Sequence, residues 1–320
     1  MCAPISAIVM VNGDILQNPA TDSHEDLVRL FKLNDTATPR KEPRFARIEF
    51  HPDDKKNMDD LSKYKLHIDE DNCPEWLSDT FKKKVVEKME LIVAGMIIKG
   101  DADLLCGGTW ILAKGVKISC VKNARIIVMC ESSKVGEMRG SSKVGEMRGS
   151  SKVGEMRGSS NVGEMCESSN VGEMWESSKV GEMRGSSKVG KMRGSSNVGE
   201  MWESSKVGVM WESSNVGEMW ESSKVGEMRG SSKVGEMCES SKVGEMCESS
   251  NVGKMRGSSN VGEMCESSNV GEMWESSKVG EMRGSSKVGE MRGSSNVGEM
   301  CESSNVGEMR ESSNVTRDLR

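Results

Sequence analysis

The sequence predicts a mainly β protein, a β-solenoid of nine-residue repeats joined to a small α+β N-terminal head. Three observations lead there. Val recurs every nine residues from Val135 to Val315, giving 21 copies, and Met does so from Met138 to Met309, giving 20. Each full copy, of which Ser132 to Gly140 (SSKVGEMRG) is the pattern, also carries a pair of Ser and a Gly. Residues 1 to about 105 are the only stretch of ordinary complexity, so the 320-residue length does not translate into several globular domains. The expected division is a head with a capping helix over 1–105, irregular lead-in coils over 106–130 and the repeat solenoid over 131–320.

In the head, Ile5 to Val11 reads as a buried strand stopped by the Asn12-Gly13 turn signal. TDSHEDLVRLFKL offers Asp22 or Ser23 as a helix cap, Glu25 and Asp26 in the first turn, and Leu27, Leu30 and Phe31 at helical spacing. RFARIEF alternates Phe45, Arg47 and Glu49 with Ala46, Ile48 and Phe50, and KYKLHID does the same with Tyr64, Leu66 and Ile68. These are two half-buried strands that can pair across HPDDKKNMDD. The clearest helix is NCPEWLSDTFKKKVVEKMELIVAGM, with Pro74 at its first position and Glu75 behind it. Its apolar stripe is Trp76, Leu77, Phe81, Val85, Met89 and Ile92, and Gly95 ends it. From Met96 the pattern turns β, and Ile126 and Met129 already stand nine residues ahead of Val135 and Met138.

The order TDSHEDLVRLF, FARIEF, DEDNCPEWL, GGTWIL and then Ser-rich nonapeptides resembles a group of uncharacterised β-solenoid proteins of gut bacteria and their phages. The resemblance implies a solenoid appended to a small head and supplies no catalytic residue.

A nine-residue period drifts half a turn per copy around a 3.6-residue helix, and every copy carries poor helix formers, so a long helix is excluded. Stacked β-coils place identical side chains above one another at ~4.8 Å. Nine residues enclose no interior, which leaves about 18 per coil, with about 27 as the alternative. Val135, Met138, Val144, Met147, Val153 and Met156 are then core, with Ser133 also inward; Lys134, Glu137 and Arg139 face out, and Gly136 is expected at a bend between two short strands.

Counting the first Ser as position 1, position 8 is Arg in ten copies, Cys in five (Cys166, Cys238, Cys247, Cys265, Cys301) and Trp in five (Trp175, Trp202, Trp211, Trp220, Trp274). Position 9 is linked to it: Gly follows Arg except at Arg310, and Glu follows Cys and Trp. Recent tandem duplication leaves such linked variants, and so would selection against like charges stacked along a sheet.

Composition narrows function. The net charge is -6, with 29 Glu against 23 Lys plus Arg over 131–315 and 20 acidic against 19 basic residues over 1–130, so there is neither a basic nucleic-acid grip nor a polyacidic tail. No run approaches the ~18 apolar residues of a membrane span, and MCAPISAIVMVNGD lacks a basic n-region, so no signal peptide is expected. The ten cysteines include no C-x-x-C pair and read as free thiols in a reducing cytoplasm, with no metal and no cofactor expected. A calcium roll needs Asp at its turns, and the array has none before Asp318. His24, His51 and His67 are the only histidines, HPDD and DEDN read as solvated turns, and neither a phosphate loop nor a nucleophile elbow is present. The expectation is a non-enzymatic cytoplasmic scaffold that presents a repetitive charged surface to a protein partner or to itself, with Trp175, Trp202, Trp211, Trp220 and Trp274 as candidate contacts. The alternative is a nucleic-acid mimic or a partner of nucleic-acid-binding proteins.

Overall fold

The Asn12-Gly13 turn folds the chain back on itself: β1 (Ser6–Met10) pairs antiparallel with β2 (Ile15–Leu16), and Gly13 supplies a φ of +87°. The structure is a computed structural model and describes residues 5–18, 21, 23–33 and 43–320. Helix α1 (His24–Leu30) starts at Ser23, whose hydroxyl accepts the Asp26 N–H at 3.3 Å; Asp22, the other expected cap, lies outside the described residues. Leu27 on α1 packs with Ile8 and Phe45 into a small core on one face of the sheet, while Leu30 is exposed. β3 (Phe45–Pro52) and β4 (Tyr64–Ile68) pair antiparallel as the alternation predicts, with Phe50 opposite Leu66, and the sheet order is β2-β1-β3-β4.

Helix α2 spans Asp79–Ala94, shorter than the pattern suggests. Pro74 to Leu77 form a separate turn, the Trp76 indole donates to the Pro43 carbonyl at 2.7 Å, and Ser78 caps the helix by accepting the Phe81 N–H. A capping Ser competes with helical continuation, so the helix starts behind it. Its buried stripe is Val85, Met89 and Val93; Ile92 is only half-buried. That stripe belongs to one hydrophobic core continuous from Ile5 through Ile97 and Ile111 to Met300.

Parallel pairing begins with β5 (Ile97–Ile98) on β7 (Thr109–Leu112) and β6 (Ala102–Cys106) on β8 (Lys117–Lys122); β9 (Arg125–Met129) and β10 (Lys134–Arg139) carry the pattern into the repeats. β10 pairs in register with the strand 18 residues on, Val135 opposite Val153 and Met138 opposite Met156. The intervening strand, Lys143–Met147, belongs to the opposite sheet. A coil is therefore 18 residues in two strands. Two parallel 13-stranded sheets face each other, spanning about 58 Å at the ~4.8 Å strand spacing.

Within a copy, positions 3 to 7 form the strand and positions 9 and 1 the turn. Gly136 does not sit at a bend, as the sequence suggested, but in mid-strand. A Cβ on the position-5 glycines would lie about 2.3–2.6 Å from a backbone oxygen of the coil before, as between Gly154 and Gly136. The bend comes at position 9, where φ is positive in every copy from Gly140 to Glu311. Turns are laddered too, the Ser159 N–H donating to the Gly140 carbonyl at 2.9 Å. A single coil has no neighbour for these bonds, which is why stability resides in stacking.

Val135, Met138, Val144, Met147, Val153 and Met156 are at most 2% exposed. The position-2 serines beside them are equally dry. Ser142 turns its hydroxyl onto the Arg139 carbonyl at 2.6 Å, but most inner serines have no hydroxyl partner among the described residues. Small size is what this corner of the coil requires of them.

Candidate functional site

With the interior filled, chemistry is confined to the outer faces and the head. On each face position 6 is a strand residue facing out, and position 8 follows it at the mouth of the turn. The three residue types at position 8 share one property, an N–H or S–H donor that reaches a position-6 carboxylate. Arg139 donates to Glu137 at 2.6 Å, Trp202 to Glu200 at 2.9 Å and Cys247 to Glu245 at 3.1 Å. Arginine does more, because it also bridges to the coil before, Arg157 reaching Glu137 at 3.2 Å and Arg256 reaching Glu236 at 2.9 Å. Guanidinium partners hold Glu137, Glu281 and Glu290 below the ordinary glutamate range.

All five tryptophans predicted as surface contacts lie on these faces, half-buried against neighbouring coils. Trp202 and Trp220 stack on one sheet. On the other, Trp175 lies between Arg157 and Arg193, 5.6 and 4.7 Å from its ring centre, and Arg229 lies 5.1 Å from that of Trp211. Arg292 covers Trp274 at 4.5 Å. The rings are spent on one another and on arginines, each such contact contributing about 0.5–1 kcal/mol at an exposed site.

Position 9 is the determinant that sequence reasoning missed. Its left-handed backbone suits Gly and strains Glu by roughly 1–2 kcal/mol. Part of that is offset where a Glu follows a Gly on the next coil: the carboxylates of Glu212, Glu248 and Glu275 accept the N–H of Gly194, Gly230 and Gly257 at 2.9–3.1 Å. The Gly/Glu alternation was the available signal.

Burial and adjacent carboxylates act on the thiols in the opposite sense. Cys130 and Cys166 are pushed up to about 12 and Cys238 to about 11, burial being the first cause in each. These are inert thiols at neutral pH.

In the head the three histidines do not converge. His51 stacks on His67 with ring centres 4.3 Å apart, while His24 is buried elsewhere, its Nδ1 3.0 Å from Asp69 and its Nε2 3.0 Å from the Ile48 carbonyl. The carboxylates of HPDD and DEDN are engaged locally: Asp53 pairs with Lys65, Asp54 caps a 3-10 turn through the Lys56 N–H, and Glu70 accepts from the Arg47 backbone and guanidinium. None forms a paired acid and base. Lys55 and Lys56 reach across to Glu146 and Glu167 at 3.9 and 3.8 Å, tying head to solenoid.

Among the described residues no helix is long and apolar enough to cross a membrane. Comparison with protein-family models, with curated proteins and with solved structures gives no match.

Proposed function

We propose that this chain is a non-enzymatic scaffold of the cytoplasm, a stiff rod whose two flat faces offer a regularly spaced charged surface to a protein partner or to a second copy of itself. The observation that carries this reading is the in-register stacking of identical outward residues, Glu137 opposite Glu155 and Glu155 opposite Glu173, over a core with no space for a substrate. Repetition at fixed spacing serves multivalent attachment, in which weak contacts gain strength by number. The test removes 18 residues at a time from the middle of the array, which shortens the rod while preserving each face. Partner stoichiometry, or the length of self-assembled particles, is expected to fall in proportion to the coils removed. An activity indifferent to coil number would place function in the head instead.

One patch supports a second reading, a nucleic-acid mimic that engages basic proteins. Glu203, Glu221 and Glu239 are exposed on three consecutive coils beside Glu200, Glu218 and Glu236, and position 3 is uncharged at Asn197 and Asn215. Elsewhere arginines neutralise such rows, so the scaffold reading is preferred. Changing Glu203, Glu221 and Glu239 to Gln together would separate the two. Loss of salt-sensitive binding to a basic DNA-binding protein supports mimicry, and unchanged binding supports the scaffold.

A further inference from the structure

The column of position-8 residues holds one place where two thiols meet. Among the described residues, Cys247 and Cys265 are the cysteines that occupy the same position on consecutive coils, their strands being joined through the Glu245–Glu263 register. Their backbones are held by ladder bonds, Cys247 N–H to the Met228 carbonyl at 2.9 Å and Cys265 N–H to the Met246 carbonyl at 2.8 Å. The Cys247 thiol donates to Glu245 at 3.1 Å, and the two sulfurs and a Glu245 carboxylate oxygen all lie within 4.8 Å of one another. We propose that Cys247, Cys265 and Glu245 form a binding site for a thiophilic divalent cation such as Zn²⁺ or Cd²⁺, with water completing the coordination.

Three features favour a metal over other uses of this cluster. A tetrahedral ion with Zn–S bonds of ~2.3 Å sets its ligand atoms about 3.7 Å apart, within reach of side-chain rotation from the observed spread. A disulfide instead wants its Cβ atoms ~3.8 Å apart, closer than the ~4.8 Å spacing of adjacent in-register strands. Charge is the third. Cys247 and Cys265 stand where arginine elsewhere neutralises the position-6 carboxylates, while Arg229 and Arg283, one coil to either side, are engaged by Glu227 and Glu281. The result is two adjacent coils with carboxylates, Glu245 and Glu263, that lack an arginine of their own, beside two thiols.

Two similar clusters lack this property. In Glu146, Glu164 and Cys166 the carboxylates already meet Arg148 and Arg184, and His24 beside Glu49 and Asp69 has both ring nitrogens committed. At the proposed site, binding forms two metal–sulfur bonds, breaks two S–H bonds and releases two protons to solvent. Burial, followed by the neighbouring carboxylate and thiol, raises Cys247; burial raises Cys265, opposed in part by the Cys247 contact and by Arg283. Uptake therefore tightens as pH rises.

The test titrates the reduced full-length chain with Co²⁺ and then Zn²⁺. One equivalent of Co²⁺ is expected to produce thiolate charge-transfer absorption, which Zn²⁺ bleaches. Cys247→Ser and Cys265→Ser should each abolish the band and weaken binding by on the order of 100-fold, at the upper end of what loss of an outer-shell partner costs. Cys238→Ser and Cys301→Ser should leave it intact. As a check independent of variants, Cd²⁺ should protect Cys247 and Cys265 from alkylation in the wild-type chain ahead of the other cysteines. A band that survives both substitutions, cobalt binding without a band, or protection spread evenly over all cysteines would overturn the proposal.

Discussion

Trp202 and Trp220, two repeats apart in the chain, stack with ring centroids 5.2 Å apart and planes inclined by 6°. The contact is a direct product of the 18-residue coil, since Trp211 between them belongs to the opposite sheet. Two parallel indoles at this distance couple electronically and should give an exciton couplet in the near- and far-ultraviolet circular dichroism. Trp220→Ala is expected to remove the couplet and to destabilise the local coils by about 0.5–1.5 kcal/mol beyond the loss of buried area. Deleting residues 205–213, one repeat, should also erase it by moving the two rings to opposite faces, while strand content is retained.

A second prediction concerns the backbone. Gly217 lies in mid-array, and a Cβ there would meet the Gly199 carbonyl oxygen at 2.5 Å. Backbone cannot rotate away as a side chain can, so Gly217→Ala must spread two coils. The expected cost is about 1–3 kcal/mol, seen as faster amide exchange in the strands on both sides. Gly194 makes the contrast. Position 9 already accommodates Glu on other coils, so Gly194→Glu should cost less and leave exchange in the strands unchanged.

How far these relations are legible from sequence differs by position. Period alone announces that Val135 stacks on Val153, and the same arithmetic pairs Trp202 with Trp220 and Cys247 with Cys265. It does not say what a glycine is for. Gly136 and Gly140 look equivalent as letters, yet one is excluded from bearing a side chain by a neighbouring coil and the other turns the chain with φ of +66°. That distinction depends on contacts between residues 18 apart. The shared role of Arg, Trp and Cys at position 8 was hidden for a related reason, because their chemistry looks unrelated until a carboxylate two residues back is seen to accept from each. In the head, alternation identified β3 and β4 but could not show that His24 would be buried against Asp69, a contact 45 residues away in the chain.

The thiols yield a third prediction. Cys73 and Cys106 are exposed, whereas Cys130 is buried and Cys166 and Cys238 are held well above the usual thiol range. Alkylation depends on the thiolate, so at pH 8 iodoacetamide should modify Cys73 and Cys106 first. Peptide mass spectrometry across a time course reads the order. Equal rates for Cys106 and Cys130 would contradict the packing of the first coils.

Acid should loosen the faces before it reaches the core. Arg139, Arg283 and Arg292 hold Glu137, Glu281 and Glu290 below their unfolded values, so each carboxylate contributes stability that is complete above about pH 4.3 and is lost as pH falls through the lower folded-state values. These pairs are solvent-exposed and screened, so the individual contributions are small and should shrink further in high salt. What makes them measurable is number, because the same pair recurs from coil to coil. The urea midpoint is therefore expected to decline between about pH 5 and pH 3 more steeply at low than at high ionic strength. Glu290→Gln removes one titrating group that faces both Arg292 and Arg310 at 2.6 and 3.4 Å, and should flatten the decline for the last coils while leaving the first unaffected. A midpoint independent of pH across that window would mean that the arginine–glutamate rows are ornamental to stability, and that ladder bonds with the Val and Met spine hold the rod unaided.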